Sequence, residues 1–232
     1  MLPALPGGGA RCAVAVGALD GAAEDAAYDG ASAYATASIV KVDVLVALLL
    51  RAQEAGRALT SEERAYAVAM IEDSDNASAT ALWEAVGGAE GLGAANVALG
   101  LTGTVAGAGG LWGLTRTTAR DQLALLRVVF DPRHSGLSRA SRAYVASLMG
   151  RTAADQRWGV SAAADTGDGC ALKNGWLPTG PEGLWVINSV GRVTVRGKAC
   201  LVAVLSDGNA TMEAGVALVE RVAKAAVGVL CG

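Results

Sequence analysis

Histidine, aromatic residues and net positive charge are all scarce in this chain of 232 residues. The one histidine is His134, so a zinc site built from several histidines is excluded, and a Ser-His-Asp triad would depend on this residue alone. His134 stands in the turn-like string Asp-Pro-Arg-His-Ser-Gly, where we expect an exposed loop residue. The formal net charge of −3 gives no basic surface suited to a nucleic acid. Any hydrolytic chemistry therefore needs a base other than histidine.

Long apolar runs are also scarce. The best candidate, Val42–Leu50, is shorter than the roughly 18–20 residues that span a bilayer, and it contains Asp43. Residues Met1–Gly9 lack the charged-then-apolar pattern of a signal peptide and have the Pro and Gly content of a cut linker. We expect no membrane span and an exported protein whose signal is absent from this chain, with a cytoplasmic location as the alternative.

The cysteines are few and widely spaced. They form no Cys-x-x-Cys pair, which disfavours a zinc ribbon. An even count permits disulfides in an exported protein, in any of three pairings, although four small buried apolar side chains are the favoured interpretation. The four are Cys12, Cys170, Cys200 and Cys231.

Hydrophobic patterning predicts a strand, a block of helices, three consecutive strands and a last helix. The expected strands are Cys12–Leu19, Ala171–Leu177, Leu184–Val195 and Lys198–Ser206, with Ala31–Thr36 as a further strand or a loop. The expected helices are Ser38–Ala55, Ser61–Asp73, Ala77–Val86, Glu90–Leu99, Thr117–Phe130, Ser138–Met149 and Thr211–Leu230. Short turns between strands predict an antiparallel sheet, and the inserted helical block predicts an α+β fold. We expect one domain over 1–232, with an α/β lobe (about 11–37 and 160–232) and a helical lobe (about 38–159).

Ser38-Ile39-Val40-Lys41 is a Ser-x-x-Lys string at the expected start of a helix. Residues three apart lie on the same helical face, so the Lys41 amine can reach the Ser38 hydroxyl. The start of a helix also directs a backbone N–H and a favourable dipole at an oxyanion. The string is weak alone, because any alanine-rich helix can hold a Ser and a Lys at this spacing.

Two more strings place polar residues at informative positions. Ser74-Asp75-Asn76 lies between two expected helices, where Ser74 can shuttle a proton and Asn76 can hold a lysine or a substrate amide; read alone, it is an ordinary turn and N-cap. Lys173-Asn174-Gly175 lies inside an expected strand, where a glycine often marks the close approach of a ligand.

Taken together, the three strings hold two of the chain's four lysines and occur in an informative order. The ordered trio is the signature of class A β-lactamases and penicillin-binding proteins. The chain resembles the serine β-lactamase and DD-peptidase superfamily, nearest the class A branch, from about residue 11 to residue 230. Gly113–Leu126 resembles the Thr-Thr helix start after the omega loop of class A enzymes, and Ser206–Glu220 resembles the link into their final helix. The resemblance implies an antiparallel five-stranded sheet flanked by helices, with an inserted all-helical lobe.

The mechanism implied by the resemblance is an acyl transfer. Ser38 attacks a carbonyl carbon and Lys41 accepts its proton. Ser74 and Lys173 relay a proton to the leaving group, and Asn76 orients Lys41 and the substrate. A lysine with its ordinary pKa of about 10.4 is a poor base, but burial and a neighbouring cation both lower that pKa. No cofactor or metal is implied, because the lysine serves as the base.

Substrate binding is expected from the third string. The backbone N–H groups of Ser38 and Trp176 form the implied oxyanion hole, just past Gly175. Asn174 stands where the family has a Ser or Thr that meets the substrate carboxylate, which leaves recognition of an acidic substrate open. Arg192 and Arg196 are candidates to compensate, although both are also typical of solvated turns.

The main departure from class A concerns deacylation, for which those enzymes use an omega-loop glutamate to activate water. No glutamate occurs between Glu90 and Glu182, and the Gly-rich loop Leu101–Leu114 has no carboxylate at all. Asp121 and Asp155 do not fall in the expected place. Deacylation must then rely on the Ser-x-x-Lys lysine or be slow.

Another departure is the short segment between Ser38 and Ser74. It predicts an open cleft suited to a bulky acyl donor. Trp112 and Trp176 are candidates to line that cleft, although simple packing would explain either.

Three functions stay open at this point. The favoured one is a serine hydrolase acting on β-lactams, D-alanyl peptides or esters. A non-catalytic penicillin-binding sensor and a glutaminase-like amidohydrolase are the alternatives. We expect a monomer with a small-molecule or peptide substrate and no nucleic-acid partner.

Overall fold

A computed structural model describes residues 9–19, 24–165 and 169–230, which form seven strands and seven α-helices joined by loops and 3-10 turns. The strands are β1 (Arg11–Ala18), β2 (Ala26–Tyr28), β3 (Ala33–Ala35), β4 (Arg116–Thr118), β5 (Ala171–Thr179), β6 (Leu184–Val195) and β7 (Lys198–Asn209). The helices are α1 (Val40–Glu54), α2 (Ser61–Glu72), α3 (Asn76–Ala85), α4 (Gly88–Ala98), α5 (Ala119–Phe130), α6 (Arg139–Gly150) and α7 (Met212–Leu230). Among the described residues, no helix is both long and apolar enough to cross a membrane.

The main sheet has five antiparallel strands in the order β2-β1-β7-β6-β5, as predicted for an α+β fold. Its second edge strand is β2, which pairs with β1, and not the expected segment Ala31–Thr36. Within that segment, β3 instead pairs with β4 in a separate two-stranded sheet. Strand β3 ends at Ala35 and leads directly into the turn that carries Ser38, beside the helices.

The sheet separates two apolar layers. On one face, α7 packs against the apolar side chains of the sheet, including Leu172, Ile187 and Val202. On the other face, the larger cluster centres on α1, which is buried along most of its length. Because α1 is enclosed on all sides, even its polar residues Lys41 and Asp43 are buried.

Local sequence signals set the helix starts. A capping box of Thr60 and Glu63, two residue types typical of one, begins α2: Thr60 Oγ1 accepts from Glu63 N, and the Glu63 carboxylate accepts from Thr60 N. Ser138 caps α6 as expected. Helix α5 begins at Ala119 and not at Thr117, because Thr117 and Thr118 belong to β4 and Thr118 is the N-cap.

The cysteines differ from one another. Cys12 and Cys170 are free thiols, whereas Cys200 is disulfide-bonded. The favoured interpretation of four unbridged apolar side chains therefore does not hold for Cys200, while Cys231 lies outside the described residues. The backbone of His134 ends a 3-10 turn, Pro132–His134, and its side chain also lies outside the description.

Candidate active site

Ser38 lies in a 3-10 turn, Ala37–Ile39, which leads without a break into α1. The residue before it, Ala37, has a φ of +46°, a left-handed conformation that is costly for a residue with a Cβ. Ser38 itself is partly exposed, at the junction of the sheet and the helices. The strained turn therefore presents a serine hydroxyl at the start of a buried helix.

Lys41 lies one turn further along and is fully buried. Its Nζ donates to Ser74 O at 2.6 Å, to Ser74 Oγ at 3.0 Å and to Asn76 Oδ1 at 2.9 Å. Burial lowers the pKa of Lys41 to about 8, against a smaller opposing effect of the Asp75 carboxylate. A larger fraction of this amine than of an ordinary lysine is therefore neutral at pH 7 to 8.

Lys173, on β5, reaches the same serine from the sheet side. It is also fully buried, and its Nζ donates to Ser74 Oγ at 3.0 Å and to its neighbour's carbonyl, Asn174 O, at 3.1 Å. Burial, followed by the nearby charge of Lys41, lowers the pKa of Lys173 to about 7. One hydroxyl oxygen therefore joins two lysine nitrogens in a continuous hydrogen-bonded path.

Ser74 occupies a special backbone position, with a φ of +59°. The next residue, Asp75, caps α3 by accepting from Ser78 N at 2.6 Å. This cap starts α3 at Asn76, whose side-chain oxygen accepts a hydrogen bond from Lys41. The turn thus places the Ser74 hydroxyl and the Asn76 amide on the same lysine.

Gly175 brings the edge of the sheet against the Ser38 turn. A Cβ at this position would lie 2.7 Å from Ser38 N, 2.7 Å from Thr36 O and 2.9 Å from Ile39 N. Such distances are shorter than any normal contact of a carbon atom, so only glycine allows β5 to approach so closely.

Asn188, opposite Gly175 on β6, ties this turn to the sheet. Its Nδ2 donates to Ala35 O at 2.8 Å and to Thr36 O at 3.0 Å, and its Oδ1 accepts from Ser206 N. Our sequence analysis missed Asn188. A polar residue inside the apolar run Trp185–Val190 was the available signal.

The indole ring of Trp112 packs against the Lys41 amine. The lysine Nζ lies 5.0 Å from the centre of the indole ring, a cation–π geometry. The indole N–H donates to Thr80 Oγ1 at 3.2 Å. Trp112 thus contacts the candidate base directly, as one of the two residues expected to line the cleft.

A family model for the beta-lactamase enzyme family matches residues 60–230. The chain belongs to that family. The match begins after Ser38 and Lys41 and includes the other two strings.

Solved structures of the β-lactamase fold agree with the architecture. A class A beta-lactamase from Bacteroides cellulosilyticus is 19% identical, with a TM-score of 0.79 over 94% of this chain and 90% of that one. TLA-3 extended-spectrum beta-lactamase is 16% identical, with a TM-score of 0.84 over 97% and 94%. A mutant of PBP-A, solved as its acyl-enzyme complex with penicillin G, is 20% identical, with a TM-score of 0.79 over 95% and 90%. No curated protein sequence matched the chain.

Two expected substrate-binding side chains of this beta-lactamase family member face away from Ser38. Alternation along β5 puts Lys173 and Gly175 on one face and Asn174 and Trp176 on the other. Asn174 Nδ2 donates to Gln156 O at 2.7 Å and to Trp158 O at 3.0 Å, and the Trp176 ring packs against Trp158.

The structure therefore does not bring the Asn174 amide or the Trp176 ring to the cleft. The sequence pattern missed this because a three-residue string does not show which residue of a strand faces inward. Only the backbone of Trp176 is left as a candidate for the oxyanion hole.

The two arginines considered as substitutes for Asn174 lie away from Gly175. Arg192 is four residues beyond Asn188 along β6, about 13 Å at the usual strand rise. Arg196 lies in the β6–β7 turn, farther still. Neither supplies a cation beside the Ser38 turn.

Proposed function

We propose that this family member is a serine hydrolase that forms an acyl-enzyme on Ser38. The observation that supports this most directly is Ser74 Oγ, which lies 3.0 Å from each of two buried lysine nitrogens, in a site beside Ser38. A path of this kind can move a proton from an attacking hydroxyl to a leaving group. In this proposal Ser38 is the nucleophile and Lys41 is its base.

Acylation would proceed with one proton moving through the site. The Ser38 oxygen forms a bond to the carbonyl carbon of the substrate while neutral Lys41 takes the hydroxyl proton. Ser74 then donates its own proton to the leaving nitrogen or oxygen, and a lysine on either side, Lys41 or Lys173, replaces it. Asn76 holds the Lys41 amine in place throughout.

The developing oxyanion would be stabilised by backbone donors. Gly175 places β5 against the Ser38 backbone, so the N–H groups of Ser38 and Trp176 are the proposed oxyanion hole. Removal of one such donor typically costs about 100-fold or more in rate.

Slow deacylation is the second part of the proposal. The loop that would supply a water-activating glutamate has no carboxylate between Leu101 and Leu114. An enzyme of this kind would be acylated by a β-lactam and released slowly, which favours a peptidase, an esterase or a penicillin-binding protein over an efficient β-lactamase. The acyl-enzyme of penicillin G on a PBP-A mutant makes penicillin a reasonable probe.

The substrate class is a further part of this proposal, and it depends on the direction in which the Asn174 side chain points. With Asn174 turned to the opposite face, no side chain of the third string except Lys173 is available to a substrate carboxylate. We propose that neutral esters and amides acylate Ser38 about as well as their free-acid counterparts, and D-alanyl peptides are the first natural candidates to compare.

An exported location is also proposed. Disulfides persist in oxidising compartments, and Cys200 is disulfide-bonded. Alkylation of the unfolded, unreduced protein should therefore label Cys12 and Cys170 but not Cys200. Labelling of Cys200 would contradict the disulfide on which this proposal rests.

The deciding experiment is intact-mass spectrometry after mixing the protein with penicillin G, beside a Ser38→Ala variant. We expect an adduct of one penicillin on the wild type that persists for minutes or longer, and none on the variant. Fast loss of penicillin without an adduct would contradict slow deacylation. An adduct on both proteins would exclude Ser38 as the nucleophile.

A further inference from the structure

The loop from Leu101 to Arg116 carries the indole that covers Lys41. Trp112 is half-buried, with its ring on the Lys41 amine and packed against the apolar core. The three polar contacts of the Lys41 amine, to Ser74 and Asn76, occupy its other sides. The indole ring therefore contacts the amine without accepting a hydrogen bond in the way that Ser74 and Asn76 do.

The loop is built to hold the indole in place. Gly107 N donates to Thr115 Oγ1 at 3.0 Å, and Thr36 N donates to Thr115 O at 2.8 Å, which fixes the loop to the Ser38 turn. A Cβ at Gly107 would lie 2.1 Å from Leu111 O, so the compact turn before Trp112 requires glycine.

The base of the loop is held by a buried polar network. Thr104 Oγ1 lies 2.8 Å from Thr117 Oγ1 and donates to Asp121 Oδ2 at 2.7 Å, so the loop is fastened to the start of α5. On the far side of the cleft, Thr80 accepts the indole N–H. The position of Trp112 is therefore set from both ends.

Hydrolysis of an acyl-enzyme needs a water molecule beside a base. The water oxygen forms a bond to the acyl carbon, the bond from that carbon to Ser38 Oγ breaks, and one water proton passes through the base to Ser38 Oγ. Without a loop carboxylate, the Lys41 amine, three residues after Ser38, is the candidate base in this proposal. Such a water must reach an amine that is fully buried and has an indole against it.

We propose that Trp112 is a positioning residue that sets the lifetime of the acyl-enzyme by keeping water away from the Lys41 amine. This inference rests on the proposed function. The indole allows Lys41 to serve Ser38 and Ser74 during acylation, but it gives the amine no water to activate afterwards.

The test compares the decay of the penicillin G adduct in three variants by intact-mass spectrometry. Trp112→Ala should lose its adduct roughly tenfold faster than wild type, a change of about 1.4 kcal/mol in the barrier. Trp112→Phe keeps an aromatic face and should stay within about threefold of wild type. Thr80→Val removes the acceptor of the indole N–H and should give an intermediate rate. Unchanged decay in Trp112→Ala, with normal acylation, would overturn the inference.

The outcomes separate this inference from the proposed function. If wild type forms no adduct on Ser38, the proposed function fails, and the result says nothing against the role of Trp112 in the lifetime of the adduct. If the adduct forms in every variant and only Trp112→Ala releases it quickly, both stand. Because Trp112 also packs against the apolar core, Trp112→Leu serves as a second variant if the alanine variant does not fold.

A pH profile distinguishes contact with Lys41 from a purely structural role. The aromatic face favours the charged amine, so Trp112→Leu should move the midpoint of the acylation rate to lower pH by about 0.5–1 unit. Trp112→Phe should move it less. Asp75, whose charge acts on Lys41, and Lys173, on which Lys41 acts, are unchanged in both variants. A midpoint identical in wild type and Trp112→Leu would show that the indole does not act on the amine.

Discussion

Ser74 is the residue at which the chemistry of the site converges, since its hydroxyl contacts both lysines. A hydroxyl has one proton and two lone pairs, so it can accept from both amines only while its own proton points elsewhere. Burial lowers the pKa of both lysines, and the neighbouring charge of Lys41 lowers that of Lys173 further. The consequence is that one lysine can be neutral while the other stays charged, which is the state a proton relay needs.

Replacing Lys173 by methionine tests this coupling. We expect acylation by penicillin G to slow by about 100-fold, because general acid–base groups typically contribute that much. The pH dependence should then keep only the midpoint of Lys41, near pH 8, because Lys173, the lysine with the lower pKa, no longer titrates. Stopped-flow or mass-based acylation rates between pH 6 and pH 10 would measure both.

The matched control for that substitution is Lys224→Met, which removes an exposed lysine on α7. Its acylation rate and midpoint should equal those of wild type. A midpoint near pH 7 that persists in Lys173→Met would show that Lys173 is not the group that titrates there.

Strand β5 acts as a unit, because its position at the edge of the sheet leaves one side free to meet the Ser38 turn. The approach depends on a missing side chain at Gly175 and on the Asn188 amide across the strand pair. The missing side chain on β5 and the Asn188 amide on β6 thus both hold the sheet against the Ser38 turn.

Gly175→Ala should therefore damage the site more than the fold. A methyl group 2.7 Å from Ser38 N must push the strand and the turn apart, so we expect acylation to fall by about 100-fold. The control is Gly93→Ala on α4, where a Cβ meets nothing within 4 Å, and where alanine should raise stability by about 0.5–1 kcal/mol. Penicillin acylation rates and thermal unfolding of both variants would be compared. Normal acylation in Gly175→Ala would contradict the proposed oxyanion hole.

The folded molecule as a whole bears a cost for its buried lysines. Because their pKa values in the folded state lie near 7 and 8, below the ordinary value of about 10.5, the unfolded chain binds more protons between these values. The stability that each lysine contributes is present above pH 10.5 and is lost as the pH falls through the folded-state pKa.

Lys173→Met should then be more stable than wild type at pH 6.5, by roughly 2 kcal/mol, while the difference shrinks towards pH 10.5. Thermal unfolding at pH 6.5 and pH 10 would measure it, with Lys224→Met as the control that shows no such trend. A Lys173→Met variant that is less stable than wild type at pH 6.5 would show that the lysine's hydrogen bonds outweigh its burial.

The order of strands and helices, the capped starts of α2 and α6 and the family could all be predicted from the sequence, because they depend on residues close together in the chain. Hydrophobic period, capping residues and short strings such as Ser38–Lys41 are local signals. The same signals gave Ala31–Thr36 as a further strand or a loop but not its partner, β4, because a strand's partner lies in a distant segment.

The direction in which each side chain points depends instead on contacts between residues that are distant in the sequence. Lys41 meets Ser74 across 33 positions, and Lys173 meets Ser74 across 99. Asn174 turned to the opposite face of β5, and Trp112 came to lie on Lys41, because packing of the sheet and the loop decides which side is inward. The sequence therefore determined which residues were available for the chemistry, whereas the packed fold determined which of them meet.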